Sequence, residues 1–356
     1  MRGHRIRFHS GESGVIMTGT VTDDPATDEP IDAVVTWVDG SDPAHRKKRE
    51  KTLRMLGKTG PGSATIPAGT DPTRFTDNGE IRWCLHSIRK FAPWIRHIHL
   101  VTDNQVPAFL THEKQKELGV RIVDHTEIFR GYEWALPTFN SYAIETVLWR
   151  INDLSDRFLF LNDDFVFINH TEVSDFFLAN RPVLRGRWER IRGNSRIHML
   201  GNQLANYFLK TVFKTSRTMQ LYAQMNAVRL LGYKKRYYRS PHVPHPLRKD
   251  TFETFFSKHE DILKHNLRNR FRDTKDFVPV SLANQLEIDS SNAAFEEYPE
   301  LSMISGQKLF GIKPQEAIEL ITNQRSKFIC LQSFDDFDEK SRKIISEILD
   351  KYTGVL

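Results

Sequence analysis

The sequence lacks any long hydrophobic run. No stretch of about eighteen apolar residues occurs in its 356 residues, so we expect no transmembrane helix. The first thirteen residues carry basic side chains but no apolar segment, which is not the pattern of a signal peptide. Zinc-finger and RNP-type patterns are also missing, so nucleic acid is not expected as a partner. These absences leave the classes of soluble globular protein.

Cysteine is scarce as well. The two cysteines, Cys84 and Cys330, lie far apart in sequence, each within an apolar segment. This placement favours two buried free thiols over a disulfide or a metal-binding pair. The expected compartment is therefore a reducing cytoplasm.

Hydrophobic residues make up 39% of the chain and charged residues 27%, which is typical of a globular protein with ample core. The net charge of +6 is modest but unevenly spread. Basic clusters are usually solvated faces, yet they also suit an anionic partner such as nucleotide-sugar phosphates, a phosphate-containing polysaccharide or the inner face of a membrane contacted peripherally. The clusters lie at residues 46–51, 185–196, 234–239 and 268–272.

Apolar, β-branched segments alternate with segments of helical periodicity, which predicts βαβ units and an α/β fold with a mainly parallel sheet. A more helical and basic lobe follows, and then a final strand and an amphipathic helix. Strands are expected at 31–38, 95–103, 120–125 and 157–168, and helices at 77–93 and 139–153. The expected division is a polar segment or linker (1–30), the α/β core (31–175), the helical and loop lobe (176–300) and the C-terminal strand and helix (301–356).

Polar residues interrupt the apolar strand at 157–168. Asn162, Asp163 and Asp164 follow four apolar residues, and ligands in open α/β sheets bind beyond the carboxyl ends of strands. Adjacent carboxylates near a core are costly unless a cation or hydrogen bonds compensate. Such hard oxygen ligands suit Mg²⁺ or Mn²⁺. A turn with a helix cap is the alternative, and the spacing alone leaves both open.

The loop after the first core strand offers Trp37, Asp39 and Asp42. These residues can form a turn with Asx hydrogen bonds. Alternatively, the loop holds the base and ribose of a nucleotide, with Trp37 supplying apolar contact.

A second polar group stands at the start of the predicted helix at 77–93. Arg74, Asp77 and Asn78 precede Glu80, and Asp77 with Glu80 has the spacing of a capping box. A helix N-terminus also favours anions, so the same residues are candidates for a phosphate or metal site.

His242, His245 and Arg272 are the candidates in the helical lobe. Pro244 and Pro246 exclude a helical ligand pair, which leaves either a structural loop or a general base that deprotonates an acceptor hydroxyl. Arg272 is either a surface charge or a bidentate phosphate clamp.

Four segments resemble the conserved blocks of the Stealth family, in the family's order and across residues 31–354. IDAVVTWVDGSDP resembles the first block, and RFTDNGEIRWCLHSIRKFAPWIRHIHLVTDNQVPAFL, continued through LPTFNSYAIE and FLFLNDDFVF, resembles the second. SPHVPHPLRKD with RFRDTKD resembles the third, and SKFICLQSFDDFDEKSRKIISEIL the fourth.

This resemblance implies a Rossmann-like core of the glycosyltransferase-A type. It also implies metal-dependent transfer of a sugar-1-phosphate from a UDP-sugar to a hydroxyl of an oligosaccharide or polysaccharide acceptor, with release of UMP, in capsule or cell-surface polysaccharide synthesis. Two alternatives stay open: a true glycosyltransferase that releases UDP, and a carbohydrate-binding relative with a degenerate site. The resemblance places Asp32, Trp37 and Asp39 in the first block, Arg74, Asp77, Asn78, Glu80, Asn162, Asp163 and Asp164 in the second, and His242, His245, Arg272 and Asp276 in the third.

In the mechanism that we expect, Asp163 or Asp164 holds the metal, Arg272 stabilises the phosphate charge, and His245, in preference to His242, accepts the acceptor proton. Asp77 is a further candidate for either metal or base. The fourth block departs from the family pattern, since Cys330 and Leu331 are followed by Gln and Ser where many members have Asn and Asp.

Overall fold

The computed structural model describes residues 7–10, 15–18, 29–57, 78–191, 218–296, 303–306, 314–323 and 326–355. In these ranges the chain alternates between strands and helices. The strands are β1 Arg7–Ser10, β2 Val15–Thr18, β3 Ile31–Thr36, β4 Ile95–Thr102, β5 Val120–Asp124, β6 Arg157–Asn162, β7 Phe165–Phe167, β8 Phe177–Leu178, β9 Arg181–Arg185, β10 Arg187–Arg190, β11 Arg236–Arg239, β12 His245–Arg248, β13 Ala294–Glu296, β14 Met303–Ser305 and β15 Phe328–Gln332.

The helices occupy both the α/β core and the lobe that follows it. They are α1 Pro43–Met55, α2 Glu80–Phe91, α3 His112–Leu118, α4 His125–Ile128, α5 Ser141–Val147, α6 Thr218–Leu230, α7 Lys249–Lys258, α8 Glu260–Leu267, α9 Pro279–Asp289, α10 Pro314–Thr322 and α11 Glu339–Thr353. Within the described part of the chain, none of them is both long and apolar enough to span a bilayer.

A five-stranded sheet in the order β12-β6-β3-β4-β5 forms the centre of the core. Strands β3, β4, β5 and β6 are parallel to one another, and β12 runs antiparallel to β6 at the edge. Burial on both faces explains the apolar runs, since β3 and β6 are buried along nearly their whole length. The expected α/β class with a mainly parallel sheet is confirmed.

The sheet's parallel strands end at one edge, where the predicted site should lie. At the opposite end, the fully buried Asp32 accepts two hydrogen bonds from Arg96 (2.9 and 2.7 Å) and two from Ser155 (2.8 and 2.9 Å). Burial alone would raise the pKa of Asp32, but hydrogen bonds from His99, Arg96 and Ser155 outweigh it and hold the pKa well below its usual range. Asp32 therefore fastens β3 to its neighbours, away from the site.

Three predicted elements differ from the structure. The expected strand at 157–168 is two strands, because the polar residues after Asn162 form a turn, and β7 pairs with β15 in a separate sheet. The helix predicted to begin at Asp77 begins at Glu80, after Gly79 in the left-handed conformation that glycine readily adopts. The helix expected over 139–153 ends at Val147 and continues only as a 3₁₀ turn, although its predicted apolar face is buried.

The first thirty residues contain one feature that the sequence did not predict. Strands β1 and β2 pair as an antiparallel hairpin, with Arg7 opposite Thr18. The division of the chain into a polar segment over 1–30 and a core from residue 31 stays a prediction. After this hairpin, the first strand of the core begins at Ile31, as expected.

Candidate functional site

The turn between β6 and β7 places Asp164 where three segments of the chain meet. The backbone N–H of Leu331 donates to the carbonyl of Asp164 (2.8 Å), which fixes the turn against β15. The Oδ2 atom of Asp164 lies 3.4 Å from Nε2 of His242 and accepts a hydrogen bond from Sγ of Cys330 at 3.3 Å. A carboxylate, an imidazole and a thiol are thus brought together from distant parts of the sequence.

His242 is positioned by a loop whose backbone is tightly held. Its ring lies 4.6 Å from that of Phe165, centre to centre. Two residues earlier, Ser240 exchanges two hydrogen bonds with the side chain of Gln224 (3.0 and 3.1 Å) and accepts another from Asn284 (2.8 Å). All three of these supporting side chains are buried, so the position of His242 is set by the fold.

His245 has a different environment from His242. It is the first residue of β12 and pairs with Phe160 of β6, so it begins a strand and does not lie in a proline-held loop as predicted. Burial, with smaller contributions from His242 and Arg185, lowers the pKa of His245 from 6.5 to about 3. His245 is therefore neutral at physiological pH, and a group with so low a pKa is a weak base.

Arg272 lies over the first turn of α5. Its guanidinium carbon is 4.3 Å from the centre of the Tyr142 ring, and its Nε donates to Oγ of Ser141 at 3.2 Å. The segment carrying Arg272 is tied down by the buried Asp276, which accepts hydrogen bonds from Asn140 (2.9 Å), from Asn269 (2.6 Å) and from the backbone of Asp273 (2.7 Å). Asp276, which the resemblance placed in the third block, thus positions the arginine.

Glu145 on α5 is a site residue that the sequence analysis missed. Burial raises its pKa from 4.5 to about 7, against the opposing effects of Arg272, Ser141 and His242. The carboxyl group is therefore close to half-protonated at neutral pH, next to a fixed cation. The available signal was a single carboxylate between Ile144 and Thr146 in a helix whose neighbouring side chains are otherwise buried.

The loop after β3 shows the turn geometry that the sequence left open. Oδ1 of Asp39 accepts from the N–H and the hydroxyl of Ser41 (2.8 and 2.6 Å), and Asp42 caps α1 by accepting from the N–H of His45 (2.7 Å). Trp37 is buried in the core beneath the loop, and its indole Nε1 finds no partner among the described residues. Binding of the nucleotide by Trp37, Asp39 or Asp42 stays a prediction.

The polar group before α2 is described only in part, because Arg74 and Asp77 lie outside the described residues. Asn78 donates from its backbone (2.9 Å) and its side chain (3.0 Å) to the buried carboxylate of Glu80. Glu80 also acts electrostatically on Cys330, so this group borders the cluster around Asp164. Asn162 ends β6, and its carbonyl lies 3.8 Å from Sγ of Cys84.

The cluster around Asp164 suits a divalent cation. Its second oxygen, Oδ1, is buried and has no hydrogen-bond partner within the part of the chain that the structure describes. Such an uncompensated carboxylate oxygen is costly unless a cation meets it. Asp163 is adjacent in the same turn, and both predicted metal ligands therefore reach the carboxyl edge of the sheet.

Sequence comparison identifies two conserved regions. The Stealth protein CR2 model, conserved region 2, matches residues 74–183, and the CR1 model, conserved region 1, matches residues 29–57. These regions contain β3, α2 and α5 and the turn that carries Asp164.

Curated relatives are phosphotransferases of surface polysaccharides. Exopolysaccharide phosphotransferase SCO2592 of Streptomyces coelicolor is 42% identical over 151 residues, which are 42% of this chain and 15% of the relative. SCO6023 of the same organism is 33% identical, over 71% of this chain and 39% of the relative. Capsular polysaccharide phosphotransferase cps1A of Actinobacillus pleuropneumoniae is 32% identical, over 69% of this chain and 62% of the relative. The chain thus spans less than two thirds of each of these relatives.

Solved structures with a similar course of the chain share little sequence with it. The bifunctional glycosyltransferase WbbM aligns with 92% of this chain and 50% of its own, at a TM-score of 0.36 and 10% identity. Core-mannan synthase A of Aspergillus fumigatus in its Mn/GDP form aligns over 84% of this chain and 87% of its own, at a TM-score of 0.36 and 8% identity. Likeness at this level supports no inference about function.

The raised pKa of Glu145 predicts a pH-dependent stability. The unfolded chain loses the Glu145 proton above pH 4.5, whereas the folded protein keeps it until about pH 7. The folded state binds more protons in this window, so its free energy of unfolding should fall as the pH rises through it. Glu145→Gln removes that proton. The variant should therefore gain stability relative to the wild type across the window, by up to roughly 3 kcal/mol.

Urea unfolding of both proteins near the two ends of this window measures the difference. Glu133→Gln, at an exposed carboxylate whose pKa is lowered by backbone hydrogen bonds, is the control and should show no such gain. Parallel pH dependence of wild type and Glu145→Gln would contradict the assignment.

Proposed function

We propose that this chain, a Stealth-family protein that carries conserved regions 1 and 2, transfers a sugar-1-phosphate, a hexose or N-acetylhexosamine 1-phosphate, from a UDP-sugar to a carbohydrate hydroxyl. The transfer forms a phosphodiester and releases UMP, in capsule or cell-surface polysaccharide synthesis. The names of the relatives support sugar-phosphate transfer as the reaction class. The observation that carries the proposal is the grouping of Asp164, His242, Glu145 and Arg272 from separate segments at one edge of the sheet.

Arg272 is suited to bind the transferred phosphate. A guanidinium forms charge-assisted, frequently bidentate hydrogen bonds with phosphate oxygens. Its plane lies over Tyr142 and its edge contacts Ser141, so it is held in one orientation before substrate arrives. In phosphoryl transfer, positioning and electrostatic stabilisation provide most of the catalysis.

Asp164 and Asp163 would hold the divalent cation, Mg²⁺ or Mn²⁺. When bound, such a cation would neutralise negative charge that develops on the leaving phosphate. The buried, unpartnered Oδ1 of Asp164 supports this assignment. Asp77 stays a predicted helper that lies outside the described residues.

Glu145 is our preferred acceptor of the proton from the attacking hydroxyl. General bases work best when their pKa lies near the operating pH, and burial brings the pKa of Glu145 to about 7. His245, with a pKa lowered to about 3 by burial, is much less suited, although it stays a competing hypothesis from the sequence. His242 beside Asp164 is the third candidate and lies nearest the expected cation.

A true glycosyltransferase is the competing function. It would break the bond between the sugar and oxygen and release UDP, and the same fold could support it. A carbohydrate-binding protein with a degenerate site is less consistent with a buried carboxylate oxygen of Asp164 that has no described partner and with a second carboxyl group, Glu145, whose pKa burial raises to about 7. Contact of the basic clusters with a membrane surface stays a prediction.

The nucleotide product tests the reaction. With a panel of UDP-sugars and an oligosaccharide primer, we expect UMP as the direct product by mass spectrometry and a phosphodiester signal by phosphorus NMR. Arg272→Lys keeps a charge but loses the planar fork, and its turnover should fall strongly. Direct release of UDP without a phosphodiester would assign glycosyl transfer instead.

The pH profile of turnover tests the base. Glu145 must be ionised to accept a proton, so turnover should decline as the pH falls below about 7. Glu145→Gln should lose about a hundredfold or more and should no longer show this acidic limb. His245→Ala should keep the limb. If His245→Ala abolishes the limb and Glu145→Gln does not, the role belongs to His245.

A further inference from the structure

Three chemically different ligand atoms converge at Asp164. A carboxylate oxygen of Asp164, a ring nitrogen of His242 and Sγ of Cys330 all lie within 4.8 Å of one another. The remaining carboxylate oxygen is buried without a partner among the described residues, so the group is not internally satisfied. A set with one oxygen, one nitrogen and one sulfur ligand differs from the all-oxygen surroundings that Mg²⁺ prefers.

Two of the three separations between these atoms are close to those around a small tetrahedral ion. Zinc binds sulfur at about 2.3 Å and nitrogen or oxygen at about 2.0–2.2 Å, so neighbouring tetrahedral ligands stand about 3.3–3.6 Å apart. In the structure, Asp164 Oδ2 lies 3.4 Å from His242 Nε2 and 3.3 Å from Cys330 Sγ. Neighbouring ligands of an octahedral Mg²⁺ stand closer, at about 2.9 Å.

The backbone around the three side chains is already fixed. Cys330 lies directly opposite Phe165 in the antiparallel pair of β15 and β7, one residue from Asp164. The hydrogen bond from Leu331 to the Asp164 carbonyl holds the turn that carries Asp164. The hydrogen bond from Gln224 to Ser240 holds the loop that carries His242. Small side-chain movements would therefore be enough to bring the three atoms onto one ion.

We propose that Asp164, His242 and Cys330 form a site for Zn²⁺ and the similar Co²⁺, with the fourth position open to water. On binding, the Cys330 thiol releases its proton to solvent as the metal–sulfur bond forms, and no oxidant or reductant takes part. Binding is independent of the proposed function. One consequence rests on that function: zinc would occupy the carboxylate needed for Mg²⁺ or Mn²⁺ and would inhibit transfer.

Titration of the metal-free protein with Co²⁺ tests the site without any sugar donor. Thiolate ligation gives an intense charge-transfer absorption in the near ultraviolet, and tetrahedral geometry gives strong visible bands. We expect both bands to reach an end point at one equivalent. Cys330→Ser should lose the charge-transfer band and at least about tenfold in affinity, the loss that even outer-shell changes can cause.

Cys84→Ser is the matched control. Cys84 is the other buried free thiol, and its Sγ faces the carbonyl of Asn162 outside the group of three. This variant should keep both bands. If Cys330→Ser does not fold by circular dichroism, His242→Ala replaces it and should lose at least about tenfold in Co²⁺ affinity while keeping the charge-transfer band.

Three results would overturn the proposal: no charge-transfer band in the wild type, an unchanged band in Cys330→Ser, or loss of the band in Cys84→Ser. Because the spectrum is read without substrate, failure of sugar-phosphate transfer would leave a positive result intact. Conversely, a missing band would leave the proposed transfer reaction untouched.

Discussion

The site depends on the compensation of one carboxylate. Asp164 follows the buried strand β6, its side chain contacts His242 and Cys330, and its backbone is attached to β15. One of its oxygens still lacks a partner among the described residues. Because an unpaired charge near a core is costly, this oxygen is the feature that most strongly calls for a cation. The turn, the histidine loop and β15 are arranged around it.

Desolvation has the same effect on the other ionisable groups of the site: it disfavours the charged form of each. It therefore raises the pKa of Glu145 to about 7 and lowers the pKa of His245 to about 3. Arg272 is the fixed cation among them, because a guanidinium stays protonated in proteins. The described residues thus include one permanent positive group, one carboxyl group with a pKa raised to about 7 and one neutral imidazole.

Local sequence patterns were sufficient for much of the fold. The apolar runs of β3 and β6 predicted a parallel sheet. The polar residues after β6 left a turn open as an alternative to a metal site, but the strand was expected to continue to residue 168, and the turn at Asp164 ends it earlier. The importance of Glu145 could not be predicted in the same way, because its pKa is raised by burial, and that burial depends on the tertiary structure. Asp42 was left open between a turn with Asx hydrogen bonds and a nucleotide contact, and only the structure shows that it caps α1 by accepting from the N–H of His45. The periodicity of apolar residues predicts which side chains are buried, whereas the partners of individual polar side chains depend on the tertiary structure.

The central claim is that Asp164 holds the cation on which transfer depends. The most direct test is turnover as Mg²⁺ is returned to chelator-treated protein, for the wild type, for Asp164→Asn and for Asp261→Asn at an exposed site on α8. We predict that the wild type and Asp261→Asn recover together, and that Asp164→Asn stays folded but does not recover. Full turnover of the wild type in chelator, or normal recovery of Asp164→Asn, would contradict the claim.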